Sequence, residues 1–80
     1  MKLSRNISAA DLISSLQKFG YIVTRQKGSH IRMTTGIKGQ HHITIPNHNP
    51  IKLGTLSSIL NDVAFHFKIS KEEVISQLFG

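Results

Sequence analysis

Apolar and polar positions along this chain repeat with two periods, and each change of period marks an element. Ser8-Ala9-Ala10-Asp11 has the form of a capping box, in which the Ser8 hydroxyl accepts from first-turn N–H groups and Asp11 reaches back. Ala9, Leu12, Ile13, Leu16 and Phe19 then recur at helical spacing. Gly20 stands where a left-handed residue ends a helix, so the pattern predicts a helix over Ala9–Phe19. Tyr21-Ile22-Val23-Thr24-Arg25 reads as a strand, and Gln26-Lys27-Gly28-Ser29 as a polar turn. His30 to Thr35 alternates, with Ile31 and Met33 on one face and His30, Arg32 and Thr34 on the other. Gly36-Ile37-Lys38-Gly39-Gln40 forms a hairpin loop, His41 to Ile45 a third strand, and Pro46 its stop.

Beyond a loop over Asn47–Lys52, helical spacing returns. Gly54-Thr55 opens a second helix whose apolar face is Leu53, Leu56, Ile59, Leu60 and Val63. Phe65–Ile69 reads as a linker whose apolar residues pack. Ser70-Lys71-Glu72-Glu73 caps a short third helix carrying Val74, Ile75, Leu78 and Phe79. The fold class is therefore α+β, in the order α-β-β-β-α with an added C-terminal helix. Short connections make the three strands an antiparallel meander. Each of the first two helices offers one apolar stripe, so both should cover the same face of the sheet and leave the polar face open.

Composition narrows the function classes. Eighty residues suit one domain with one small core, with no room for a separate cofactor-binding domain. The absence of Cys excludes a disulfide framework, a thiolate metal site and a Cys nucleophile. No apolar run reaches the ~18–20 residues of a transmembrane helix. Met1–Ser8 has Lys2 and Arg5 but no apolar stretch, so no signal peptide is expected. A cytoplasmic protein without a membrane partner follows as the expectation.

The charge of +6 is uneven. From Met1 to Thr55 eight Lys and Arg stand against Asp11 alone, giving +7; from Leu56 to Gly80 the balance is −1. Such asymmetry points to a polyanion such as a nucleic acid. The candidate chemistry sits in Arg25-Gln26-Lys27-Gly28-Ser29-His30-Ile31-Arg32. Phosphoryl transfer involving a ribose 2′-OH needs a group that exchanges a proton near neutrality, a role suited to imidazole. It also needs cations to neutralise the phosphate, here Arg25, Lys27 and Arg32. Gly28 allows close backbone approach, and Ser29 can hydrogen-bond a phosphate oxygen. The same set also suits simple phosphate binding.

Three segments, Arg25-Gln26-Lys27-Gly28-Ser29-His30, Ile45-Pro46-Asn47-His48 and Leu53-Gly54-Thr55-Leu56-Ser57-Ser58-Ile59-Leu60, occur in that order. Together they resemble the HicA (YcfA-like) mRNA interferase family over about residues 8–64. The resemblance implies a fold similar to a double-stranded RNA-binding domain. It also implies a type II toxin that cleaves mRNA without a metal or other cofactor and is neutralised by a HicB-type antitoxin. The family's catalytic histidine falls on His30, with Arg25, Lys27, Gly28, Ser29 and Arg32 as RNA contacts. Lys38 is similar to loop lysines that grip backbone phosphate in RNA-binding folds. Residues 65–80 form a helical extension beyond the family core, within one domain over 1–80. Asn47-His48 departs from the family's close Pro-His pair, which leaves His48 as a second proton donor or a loop residue.

Other residues have readings of their own. His41, His42 and His48 invite a metal, but adjacent strand residues face opposite ways and no carboxylate lies in the stretch, so none is expected. One of His41 and His42 should share the open face. Tyr21 can stack on a base or serve as a half-buried strand aromatic. A non-catalytic RNA-binding module of the same fold, with His30 gripping phosphate, is the competing function.

Overall fold

The computed structural model describes residues 6–80; Lys2 and Arg5, counted in the charge above, lie outside them. The first helix, α1, is Ala9–Leu16, continued by a single 3-10 turn over Gln17–Phe19. Its capping box is complete: the Asp11 N–H donates to the Ser8 hydroxyl at 3.0 Å, and the Ser8 N–H to the Asp11 carboxylate at 3.4 Å. Asn49 in the loop before the second helix adds another cap, its side-chain oxygen accepting from the Ala9 N–H at 3.2 Å. Gly20 ends the turn at φ +82°, where a Cβ would lie 2.5 Å from Ile37 and 2.9 Å from Thr35. Conformation and space both require glycine there.

The strands are β1 (Ile22–Lys27), β2 (His30–Thr35) and β3 (His41–Pro46), antiparallel in the order β1-β2-β3. The first hairpin is tighter than the sequence suggests. Gln26 and Lys27 belong to β1, and only Gly28 and Ser29 make the turn, with Gly28 at φ +57°. A bulge at Thr24 shifts the register between Val23 and Arg25. The edge strand β1 is exposed along its whole length, including Ile22 at 61% and Val23 at 48%.

Alternation sends Ile31, Met33, Ile43 and Ile45 to the covered face. Leu12 and Leu16 of α1 and Leu56, Leu60 and Val63 of the second helix, α2 (Leu53–Phe67), belong to the same core. Here the structure corrects the sequence reading: Phe65–Ile69 is not a linker, because α2 runs on to Phe67. Leu60, Val63, Ala64 and Phe67 continue one buried stripe, and Phe67 packs on Phe19 with ring centroids 4.9 Å apart. Burial of that ring favours the extra turn. Phe65, expected to pack, faces outward at 87% exposure. Lys68 closes the helix in the left-handed region at φ +58°, a place where glycine is the usual signal.

The third helix, α3 (Lys71–Phe79), is capped by Ser70, whose hydroxyl accepts from the Glu73 N–H at 3.1 Å. It packs on α1 and α2, and its Val74, Ile75 and Leu78 join the same core. The Lys18 ammonium donates to the carbonyls of Gln77 and Leu78 at 3.2 and 3.3 Å, a cation at a helix C-terminus. The Lys71 ammonium also donates to the Ser57 hydroxyl. No helix among the described residues is long and apolar enough to cross a membrane.

Candidate functional site

The open face of the sheet is built from cross-strand rows. Lys27, His30 and Pro46 face one another nearest the first hairpin, and Arg25, Arg32 and Thr44 form the next row. Arg25, Lys27, His30, Arg32 and Thr44 together line one shallow depression. The wall contains three cations, an imidazole and a hydroxyl, with no carboxylate. On β2 and β3 alternation puts these side chains opposite buried apolar neighbours: Ile31 lies between His30 and Arg32, and Ile43 and Ile45 flank Thr44; on β1, Arg25 and Lys27 are placed by their pairing with Arg32 and His30.

This arrangement works against stability. Arg25 lies directly opposite Arg32, and like charges in that position destabilise a sheet. A surface selected for folding alone would place an acid or a threonine at one of the two positions. Local conflicts of this kind concentrate where a ligand supplies the missing counter-charge.

The turn that ends the depression is firmly held. The Ser29 carbonyl accepts from the Asn47 N–H at 2.6 Å, which ties the hairpin to the exit of β3. A Cβ at Gly28 would meet nothing within 4 Å, so glycine serves the backbone angle and leaves the rim open. Lys38, by contrast, lies in the loop at the opposite end of β2, a strand length of about 20 Å from the hairpin. It is not brought together with His30.

The remaining histidines separate by face as alternation requires. His42 is on the open face, where its Nδ1 lies 2.7 Å from the Thr34 hydroxyl. Thr34 in turn meets the Thr24 hydroxyl at 2.8 Å. His41 points the other way. Its Nε2 lies 3.1 Å from the Asp62 carboxylate, which can only accept, so Nε2 carries a proton; in the neutral ring Nδ1 then accepts from the Tyr21 hydroxyl at 2.7 Å. His66 of α2 stacks on His41 at 4.4 Å and donates from Nε2 to the Ile37 carbonyl at 3.0 Å. Tyr21 is fully buried, so it is no base-stacking platform. Burial, with Asp62 adding to it, raises its phenol above the ordinary value of 10.0. His48 is exposed in the loop after β3 and does not line the depression. Among the described residues, no group of three or more His, Asp or Glu side chains is placed to hold a metal ion.

The sequence singles out neither Thr44 nor the Thr24–Thr34–His42 row as such, although it places Thr34 and one of His41 and His42 on the open face. Thr44 was detectable in principle, since β2–β3 register sets it beside Arg32. The row depends on the Thr24 bulge, which leaves no mark in the sequence.

Neither the curated proteins nor the solved structures yield a match to the chain. A family model described as the HicA toxin of bacterial toxin–antitoxin systems matches residues 9–64, a span running from the start of α1 through the whole sheet into α2. All five residues lining the basic depression fall inside that span. On that match, the chain belongs to the HicA toxin family of bacterial toxin–antitoxin systems.

Proposed function

We propose that this chain is an endoribonuclease that cleaves mRNA without a metal ion, with His30 as the general acid and base. The observation that carries this reading is one imidazole set among Arg25, Lys27 and Arg32 in an open depression without a carboxylate. In this mechanism the cations hold the non-bridging oxygens of the scissile phosphate and stabilise the charge that grows on them in the transition state. The ribose 2′-oxygen attacks the adjacent phosphorus as its proton passes to His30. The bond from phosphorus to the 5′-oxygen breaks, and that oxygen takes the proton. The products are a 2′,3′-cyclic phosphate and a free 5′-hydroxyl, with no net change in protons. Ser29 and the Gly28 backbone form the rim that receives the sugar–phosphate chain, and Lys38 grips the strand at the far end of the sheet. The partner that silences the toxin is a HicB-type antitoxin, for which this same basic face is the natural electrostatic target.

The test compares wild type with His30→Ala on a long single-stranded RNA in EDTA, alongside induction of both in cells. Wild type should cut the RNA and arrest growth, and His30→Ala should do neither while still binding. Equal cleavage by the variant would remove His30 from the chemistry. Binding without cleavage by either protein would instead favour a non-catalytic RNA-binding module, and cleavage only with added divalent ions would sink the metal-free mechanism.

A further inference from the structure

The open face carries a second depression, on the side of the Arg25–Arg32–Thr44 row away from the hairpin. Ile22, Thr24, Thr34, Thr35 and Gln40 line it, together with Gly20 and Gly36, which present only backbone. Its chemistry differs from that of the first. It has no charged side chain, one exposed aliphatic flank from Ile22, the hydroxyls of Thr24 and Thr34 and a primary amide; the third threonine, Thr35, is buried, its hydroxyl donating to the Phe19 carbonyl and accepting from the Ile37 N–H. Such a surface is poorly suited to a phosphate, which needs cations. It suits a planar ring with a polar edge.

The hydroxyls are specific about what they offer. Thr24, Thr34 and His42 form a chain of hydrogen bonds, with Thr24 also within 3.5 Å of the Arg32 carbonyl. The chain can run from Thr24 through Thr34 to an accepting His42 Nδ1. It can also run from a donating His42 Nδ1 through both hydroxyls to the Arg32 carbonyl. In either direction each hydroxyl proton is already engaged, and each oxygen keeps at least one lone pair. The pair therefore presents acceptors, and the Gln40 amide adds both a donor and an acceptor.

We propose that this depression is a nucleobase subsite that selects a base bearing an exocyclic amino group over uracil. The proposal rests on the reading of the first depression as the RNA-cleaving site. Thr34 is four residues along β2 from His30, about 13 Å at the rise of a strand. The base held there belongs to a nucleotide within two positions of the scissile bond. The amino group donates to the free lone pairs of Thr24 and Thr34, Gln40 pairs with the rest of the polar edge, and Ile22 covers one ring face. A uracil edge leaves those acceptors without the amino donor, and an unpaired polar group at a recognition site discriminates strongly.

The test maps the cut sites of wild type, Thr34→Val and Gln40→Ala on a long RNA of mixed sequence in EDTA. It then measures kcat/KM on short RNAs that differ only in the base at the mapped position. Wild type should prefer cytosine, adenine or guanine over uracil at one position by roughly ten-fold or more, in line with a good polar base contact. Each variant should reduce that preference to about two-fold or less. Val suits a strand, and Gln40 is an exposed loop residue, so circular dichroism should show both variants folded. A wild type that cuts without base preference, or variants that keep the preference, overturns this inference alone. So does a variant that cuts with wild-type preference but loses its grip on the antitoxin, since the depression would then be a protein contact. A folded wild type that cuts no RNA overturns the nuclease reading and takes this inference with it.

Discussion

Removing one cation of the basic depression should make the protein more stable. Arg25 and Arg32 are exposed and directly opposed across β1 and β2. Two unit charges at a separation of about 6–7 Å in a dielectric near that of water repel by about 0.6 kcal/mol, inside the ~0.2–1 kcal/mol range for cross-strand pairs. Arg32→Gln removes the charge while keeping much of the side-chain length. For a domain of this size, 0.6 kcal/mol corresponds to a rise in Tm of about 2–5 °C. The assay is thermal unfolding by circular dichroism of wild type and variant at about 10 mM and about 1 M salt. At the lower salt the screening length is ~30 Å and the gain should be complete; at the higher it is ~3 Å and the gain should vanish. The same variant should bind RNA more weakly. A variant that is less stable at low salt, or a gain that persists at high salt, would refute the reasoning, because the arginines would then be held for structural reasons.

Three further variants test other parts of the structure. Lys27→Ala, made in a His30→Ala background so that RNA survives, should reduce the slope of log affinity against log salt by about 0.7 per lost phosphate contact, read by fluorescence anisotropy. Tyr21→Phe should cost about 1–2 kcal/mol in urea unfolding, since it strands His41 Nδ1 without its donor. Because the folded-state phenol is raised, its contribution is intact below about pH 10 and is lost as pH climbs toward the folded value; Tyr21→Phe should flatten that alkaline fall relative to wild type. Leu78→Ala should cost about 2–5 kcal/mol by the same unfolding assay, as for a core leucine; a cost below about 1 kcal/mol would show that α3 adds little to the core.

The elements were legible where local chemistry and core packing agree. Ser8 and Asp11 marked a helix start, Gly20 its end, and the His30–Thr35 alternation a strand with its buried face. The basic row was legible for the same reason: once Ile31 and Met33 point inward, His30 and Arg32 must point outward. The end of α2 was not legible, because the packing of Phe67 on Phe19 rewards the last turn and that contact spans the chain. Lys68 accepts a left-handed angle without the glycine that would announce it. The roles of His41 and His42 were legible as opposite, but Asp62 and His66 become neighbours of His41 only through the docking of α2 on β3. The second depression was hidden because a single extra residue at Thr24 decides which hydroxyls meet.

The cations of the exposed edge strand also bear on how copies of the chain meet. An exposed edge carrying Ile22 and Val23 in water is a template on which another copy could add a strand. Arg25 and Lys27 sit on that edge, and their mutual repulsion between copies keeps two such edges apart. Whatever polyanion neutralises the depression also switches off this repulsion. Colloidal stability is therefore tied to occupancy: the free chain disperses best at low salt. A complex whose ligand balances the charge without shielding β1 should be the species that self-associates.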